Sequence, residues 1–163
     1  MTEIMNSAVC LLEQAALNYP GHTGVSDENG SVTYEEYRRL SRAVGSGLLR
    51  QGKSCPVVVY LPKGIPALIS FMGAMYAGSP YVPVDAHIPT LRLTKILQSL
   101  APCTVITDAS LAPNLEDCGV SGVNVCFYDD LATADIADEL IETALSRVTD
   151  VDPISIMFTS GST

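Results

Sequence analysis

Thr159-Ser160-Gly161-Ser162-Thr163 is a run of small hydroxyl residues around a single glycine, and a short apolar stretch, Ile154 to Phe158, leads straight into it. Such a run has the parts of an anion cradle. Glycine lets the backbone come close, free N–H groups point at the ligand, and hydroxyls add donors. It contains no carboxylate to repel a phosphate. It is not a Walker loop, because no Gly-Lys-Ser/Thr follows a Gly-x4 spacer. Ile154 to Phe158 is rich in β-branched and aromatic residues and is bounded by Pro153, which predicts a buried strand. A strand delivering its last residues into a phosphate-holding loop is therefore the arrangement to look for.

The elements that would position this loop can be taken in chain order. Ile4, Ala8, Leu11, Leu12 and Ala15 recur at helical spacing, and Tyr19-Pro20-Gly21 ends that helix. Thr23 to Ser26 and Ser31 to Tyr34 flank Asn29-Gly30, a hairpin signal because both residues tolerate positive φ. Thr33 with Glu36 makes a capping box for a helix carrying Tyr37, Leu40, Val44 and Leu48 on one face. These residues are fully accounted for as scaffold. Pro56 to Leu61 reads as a strand covered on both faces, and Pro66 opens an almost wholly apolar helix, Ala67 to Tyr76. In that helix Gly73 and Ala74, with Ala77 just beyond, permit close approach of another element, and Gly78 ends it.

Tyr81 to Val84 is a short strand, and Pro80 and Pro83 predict an edge or interrupted position. Asp85 at its end reads as a structural turn residue, and His87 as an exposed loop residue lacking a nucleophile or metal partner. Pro89 starts a helix with Leu93, Ile96, Leu97 and Leu100 inward and Arg92 and Lys95 outward. Cys103 to Thr107 is the next strand, a loop follows, and Val123 to Tyr128 is another strand closed by Asp129 and Asp130. Asp135 to Arg147 is a last helix, its acidic first turn a solvated face suited to the helix dipole. The alternation predicts an α/β fold: three layers, a mainly parallel sheet with helices on both faces, plus a short N-terminal helix and β-hairpin. Ligands of such sheets sit at the carboxyl ends of the strands, where the hydroxyl run would emerge.

Composition narrows the function. The chain has 47% apolar and 17% charged residues, which suits one globular domain. A net charge of −9 with 9 Lys and Arg leaves no basic cluster for a nucleic-acid backbone. Five cysteines at positions 10, 55, 103, 118 and 126 show neither Cys-x-x-Cys nor a disulfide framework, so reduced thiols packed as small hydrophobes are expected. No secretory signal or apolar run of transmembrane length is read, and a cytoplasmic location without membrane partners is the expectation.

Three ordered motifs carry a resemblance. Phe158-Thr-Ser-Gly-Ser-Thr163 resembles the start of the phosphate loop of AMP-forming adenylating enzymes, the superfamily of acyl-CoA synthetases, luciferases, D-alanine:carrier-protein ligases and peptide-synthetase adenylation domains. Val32-Thr-Tyr-Glu-Glu-Tyr37 is similar to the family's first core motif. Met75-Tyr-Ala-Gly-Ser-Pro-Tyr-Val-Pro-Val-Asp85 is similar to the second, and His87-Ile-Pro-Thr-Leu-Arg-Leu93 matches its usual sequel. The form of the second motif looks closest to amino-acid-activating members. The resemblance implies that residues 1–163 are the N-terminal part of the large AMP-binding domain, ending inside the phosphate loop before its Gly-x-Pro-Lys-Gly continuation. It implies a parent ligase that joins a carboxylic acid, an amino acid by the motif form, to ATP with Mg²⁺ as an acyl-adenylate. The acyl group then passes to a thiol, of CoA or of carrier-protein phosphopantetheine. Thr159, Ser160, Gly161, Ser162 and Thr163 are the implied nucleotide-binding residues, and no catalytic or metal-binding residue is assigned. The isolated chain is expected to be inactive, to hold no cofactor tightly and to self-associate through surface that later parts of the protein would cover. The rival expectation is a standalone, non-catalytic α/β module binding a nucleotide or a protein partner. A flavodoxin-like or receiver-like domain fits less well, since Pro62-Lys63-Gly64 stands where a flavin-phosphate loop or acidic cluster belongs.

Overall fold

The structure is a computed structural model, and it describes residues 8–52 and 55–159. Among these, Val57-Val-Val-Tyr60 dictates the centre. Four consecutive large residues, three of them β-branched, favour an extended backbone, and all four are buried. Alternation along this strand, β3, sends Val57 and Val59 to one face of a sheet and Val58 and Tyr60 to the other. Both faces must therefore be covered. β3 pairs in parallel with β4 (Tyr81–Val84) on one side and β5 (Cys103–Thr107) on the other, and β5 pairs in parallel with β6 (Val123–Phe127). In register, Val58 lies between Val82 and Val105. The resulting order is β4-β3-β5-β6.

Helices α2 (Tyr34–Arg50) and α3 (Ile65–Tyr76) cover the first face through Val44, Leu48, Ala67 and Ile69. Helices α4 (Thr90–Leu100) and α5 (Ala112–Cys118) cover the second through Leu93, Ile96, Leu97 and Leu115. A third cluster ties α1 (Ala8–Asn18), through Val9 and Leu12, to Met72 and Tyr76 of α3 and Ile141 of α7 (Asp138–Leu145). The antiparallel hairpin of β1 (Thr23–Asp27) and β2 (Gly30–Thr33) stands apart from the sheet. Asp27 joins it to the core, accepting hydrogen bonds from the backbone N–H of Ile65 and of Asn29, both at 2.8 Å. The α/β three-layer reading of the sequence holds.

Four local readings need correction. The acidic loop after β5 contains α5, with Pro113 in its first turn and Gly119 in the left-handed conformation at its end. Asp129 and Asp130 open a short helix, α6 (Tyr128–Ala132), instead of closing a strand. Helix α7 begins at Asp138, so Asp135 precedes it. In α1 the buried face is Val9, Leu12 and Ala16, while Leu11 is exposed; Ile4 lies outside the described residues.

Helices α2 and α3 approach so closely that only glycine fits at two points. A Cβ on Gly73 would stand 2.4 Å from Val44 Cγ1, and one on Gly45 would stand 2.7 Å from Tyr76 Cβ. The contact is sealed at its edge by charge. Arg42 of α2 pairs with Glu13 of α1 at 2.6 Å and with Asp138 of α7 at 2.8 Å, and its guanidinium lies over the Tyr76 ring. The wholly buried Tyr76 donates its hydroxyl to Glu13 at 2.7 Å, and burial pushes its pKa far above the usual phenol range. Gly73→Ala gains about 0.5–1 kcal/mol of helix propensity, but the clash costs about 1–3 kcal/mol. The clash wins, so urea unfolding of Gly73→Ala should show a lower midpoint, and Gly73→Val a still lower one.

Candidate functional site

The carboxyl ends of the parallel strands lie on one side of the molecule, and the stretch before the hydroxyl run is led there by two main-chain bonds. Tyr81 N–H donates to Ile154 O at 3.0 Å, and Ile156 N–H donates to Tyr81 O at 2.9 Å. Together they form a single parallel bridge between Tyr81 and Ser155, beyond β4. The expected buried strand over Ile154 to Phe158 is thus reduced to one bridge on the outer side of β4. Its burial is one-sided: Ile156 and Phe158 pack on the second-face core, while Ile154 and Met157 are exposed. Pro153 and the edge position explain the shortfall, since among the described residues no strand lies beyond this stretch to complete a ladder. The edge position expected of β4 from Pro80 and Pro83 is what places it next to this bridge.

Thr159, the first residue of the hydroxyl run, is exposed at the end of this segment. Ser160, Gly161, Ser162 and Thr163 lie outside the described residues. Phe158 forms one wall of an open cleft of about 430 Å³ whose other walls include Val84, Asp85, His87, Ile88 and Arg92. The second sequence motif therefore folds beside the segment that carries the hydroxyl run, which sequence order alone did not establish.

The floor of this cleft is a rigid turn. Asp85 Oδ1 accepts the backbone N–H of His87 at 2.8 Å, and Ile88 N–H donates to Asp85 O at 3.0 Å. Tyr60, wholly buried at the end of β3, donates its hydroxyl to Ala86 O and accepts from Asn114 Nδ2 of α5 at 2.9 Å. The His87 N–H, and secondarily its ring and Lys63, hold the Asp85 carboxyl below its usual pKa. Asp85 is a turn residue, as read from the sequence, and the His87 side chain is 96% exposed. The first motif is scaffold as well. Thr33 Oγ1 accepts Glu36 N–H at 3.2 Å, and Glu36 accepts Thr33 N–H at 2.8 Å.

Arg92 departs from its outward reading. It is half-buried on the cleft wall, and its Nε is buried without a hydrogen-bond partner among the described residues. The periodicity held the signal: Arg92 is four residues before the buried Ile96, so it shares that side of α4. Thr107, wholly buried at the carboxyl end of β5, likewise keeps an unpartnered Oγ1. Among the described residues no group of three His, Cys, Asp or Glu side chains could hold a metal ion. Among the described residues Cys55, Cys103, Cys118 and Cys126 form no disulfide, and burial pushes the Cys103 thiol up to about 11. No described helix is long and apolar enough to cross a membrane.

The family model for AMP-binding enzymes matches residues 12–163, nearly the whole chain and including the hydroxyl run. This chain belongs to the AMP-binding enzyme family. A D-alanine–D-alanyl carrier protein ligase of Bacillus velezensis is 35% identical over 139 residues, covering 82% of this chain and 26% of the ligase. Tyrocidine synthase 1 of Brevibacillus parabrevis is 28% identical over 155 residues, covering 94% of this chain and 14% of the synthase. Among solved structures, a Mycobacterium tuberculosis fatty acyl CoA synthetase superposes with a TM-score of 0.74 at 22% identity, over 98% of this chain and 34% of that one; the likeness shows the fold. The peptide synthetase FmoA3 superposes with a TM-score of 0.73 at 26% identity, over 92% of this chain and 16% of the synthetase. The chain thus spans about a quarter of the length of its D-alanine ligase relative, and less of the peptide synthetases.

The geometry sets an expectation for the AMP-binding fold in this chain. Phe158 is the side chain that fixes the approach to Thr159, so Phe158→Ala should release the segment from the sheet. The cost should be roughly 1–2 kcal/mol, below the about 3–5 kcal/mol of a fully buried Phe, because one side is open. Hydrogen exchange of the Ile156 amide should accelerate in Phe158→Ala, while that of Val58 in β3 should change only with global stability.

Proposed function

We propose that residues 1–163 form the N-terminal part of the large domain of an amino-acid-activating, AMP-forming ligase, with Thr159 to Thr163 opening its phosphate loop. The whole protein would join an amino-acid carboxylate to ATP as an acyl-adenylate, releasing pyrophosphate, and pass the acyl group to a carrier-protein phosphopantetheine or CoA thiol. The observation that carries this reading is the family match through Thr163, supported by relatives named as D-alanine ligases and peptide synthetases.

The residues present suit a polyphosphate. The run from Thr159 to Thr163 has four hydroxyl side chains, backbone N–H groups and no carboxylate, and Arg92 lines the same cleft as Phe158, the residue before that run. In the reaction these donors would bind the phosphates and hold them while charge builds on the departing pyrophosphate. Mg²⁺ bound with the nucleotide would share that charge. The bridge at Tyr81 fixes where the donors begin, and Phe158 keeps one wall of the cleft apolar. The adenine-, ribose- and acyl-binding surfaces belong, on this reading, to sequence beyond Thr163. Residues 1–163 alone are therefore inactive, hold ATP weakly and self-associate.

The test combines a sequence reading with an assay. The open reading frame should continue past Thr163 with Gly, one variable residue and Pro-Lys-Gly or a close variant. The encoded whole protein should show amino-acid-dependent ATP–pyrophosphate exchange, and residues 1–163 should show none above buffer. An unrelated continuation, or a whole protein without exchange on a full amino-acid panel, would overturn the reading in favour of a non-catalytic nucleotide- or protein-binding module. Exchange by residues 1–163 themselves would overturn the division of labour.

A further inference from the structure

Arg92 is a permanently charged group whose Nε finds no acceptor among the described residues. Its Nε is buried without an acceptor, although the side chain lines an open cleft of about 430 Å³. A carboxylate lines the same cleft, but Asp85 is engaged by the His87 N–H at 2.8 Å and by Lys63 at 3.8 Å and forms no ion pair with Arg92. A guanidinium stays charged, and besides Nε it carries N–H donors at both Nη atoms with which a ligand in the cleft can be held. Its planar fork matches two oxygens of one phosphate better than any single carbonyl. The wall beside it is Phe158, whose next residue is the first hydroxyl of the anion-holding run.

We propose that Arg92 is a second phosphate-holding residue, gripping an anionic phosphate from the α4 side of the cleft. The inference rests on the adenylating reading and deepens it. Two bound molecules could supply that phosphate: the polyphosphate of the nucleotide, or the phosphate of the phosphopantetheine arm that receives the acyl group. His87 on the cleft wall adds no competing anion, and the Asp85 charge is directed to its own turn.

The experiment uses the whole encoded protein with Arg92→Gln and Arg92→Lys. Calorimetry with Mg·ATP and with inorganic tripolyphosphate reads the first source. The KM for 4′-phosphopantetheine against that for pantetheine, which lacks the phosphate, reads the second. Arg92→Gln should weaken one of these by roughly 10–100-fold, the worth of a charge-assisted contact, and Arg92→Lys by less. Weaker Mg·ATP and tripolyphosphate binding assigns the nucleotide. Loss of the preference for phosphopantetheine over pantetheine assigns the acceptor arm. Unchanged affinity for all ligands in either folded variant overturns the proposal, making Arg92 a packing residue. If Arg92→Gln does not fold, Arg92→Lys decides alone, because it keeps the charge and loses the fork. A wild-type protein without exchange activity would sink the adenylating reading; tripolyphosphate binding would still judge Arg92, and equal or absent binding in wild type and variants would overturn it.

Discussion

Two hydrogen bonds at one residue govern where this molecule presents its chemistry. Tyr81 donates to Ile154 and accepts from Ile156, and through this bridge the last described stretch runs parallel to β4 toward the strands' carboxyl ends. It leads Phe158, and Thr159 after it, toward the cleft lined by Asp85, His87 and Arg92. The bridge is short, so side chains do much of the holding. Ile156 and Phe158 face the core built by β3, β4, β5 and α4, and Phe71 stacks on Tyr81 from the other side at 4.6 Å between ring centroids. Net worth of about 0.5–1.5 kcal/mol per hydrogen bond would not fix such a segment alone. Apolar burial of two large side chains, at about 1.5–3 kcal/mol each when complete, carries the larger share.

That bridge depends in turn on β4 being held against β3, and β3 against its helices. The order β4-β3-β5-β6 places α3 on one face and α4 and α5 on the other, so the winding reverses around β3. Crevices at such reversals, outside the carboxyl ends of the strands, are where α/β sheets bind ligands. Here the end of β3 supplies Tyr60, whose hydroxyl links the Asp85–Ile88 turn to Asn114 of α5. The cleft floor is thus fixed from the sheet below. On the far side, Gly45 and Gly73 let α2 and α3 close to a distance that a methyl group would forbid. Packing at that point is a jigsaw contact, and it leaves the first sequence motif a purely structural task as a helix cap.

Much of this was legible in the sequence because local rules and tertiary demands agreed. The unbroken Pro56 to Leu61 run, the Asn29-Gly30 turn, the Thr33–Glu36 capping box and the glycine-bearing helix each follow from backbone chemistry within a few residues. The errors fall where local signals were weak or contested. The segment after β5 is rich in polar residues and carries a proline, which argued for loop. Pro113 instead occupies the first turn, where a helix tolerates it. Ile154 to Phe158 has strand composition, yet strand length is decided by how many partners a sheet edge provides. The Arg92 orientation was hidden by the habit of sending charge outward, although its four-residue spacing from Ile96 pointed inward. Ordered motifs showed the family before geometry did; the cleft that joins the second motif to the hydroxyl run required the fold.

The central claim is that the nucleotide's phosphates sit on the run that begins at Thr159. A crystal structure of the whole encoded protein with Mg²⁺ and a non-hydrolysable ATP analogue tests it most directly. The account places the β- and γ-phosphates within hydrogen-bond distance of hydroxyls and N–H groups of Thr159 to Thr163, with Phe158 at the cleft wall. Phosphates held elsewhere on the molecule, with that run making no contact to them, would contradict it.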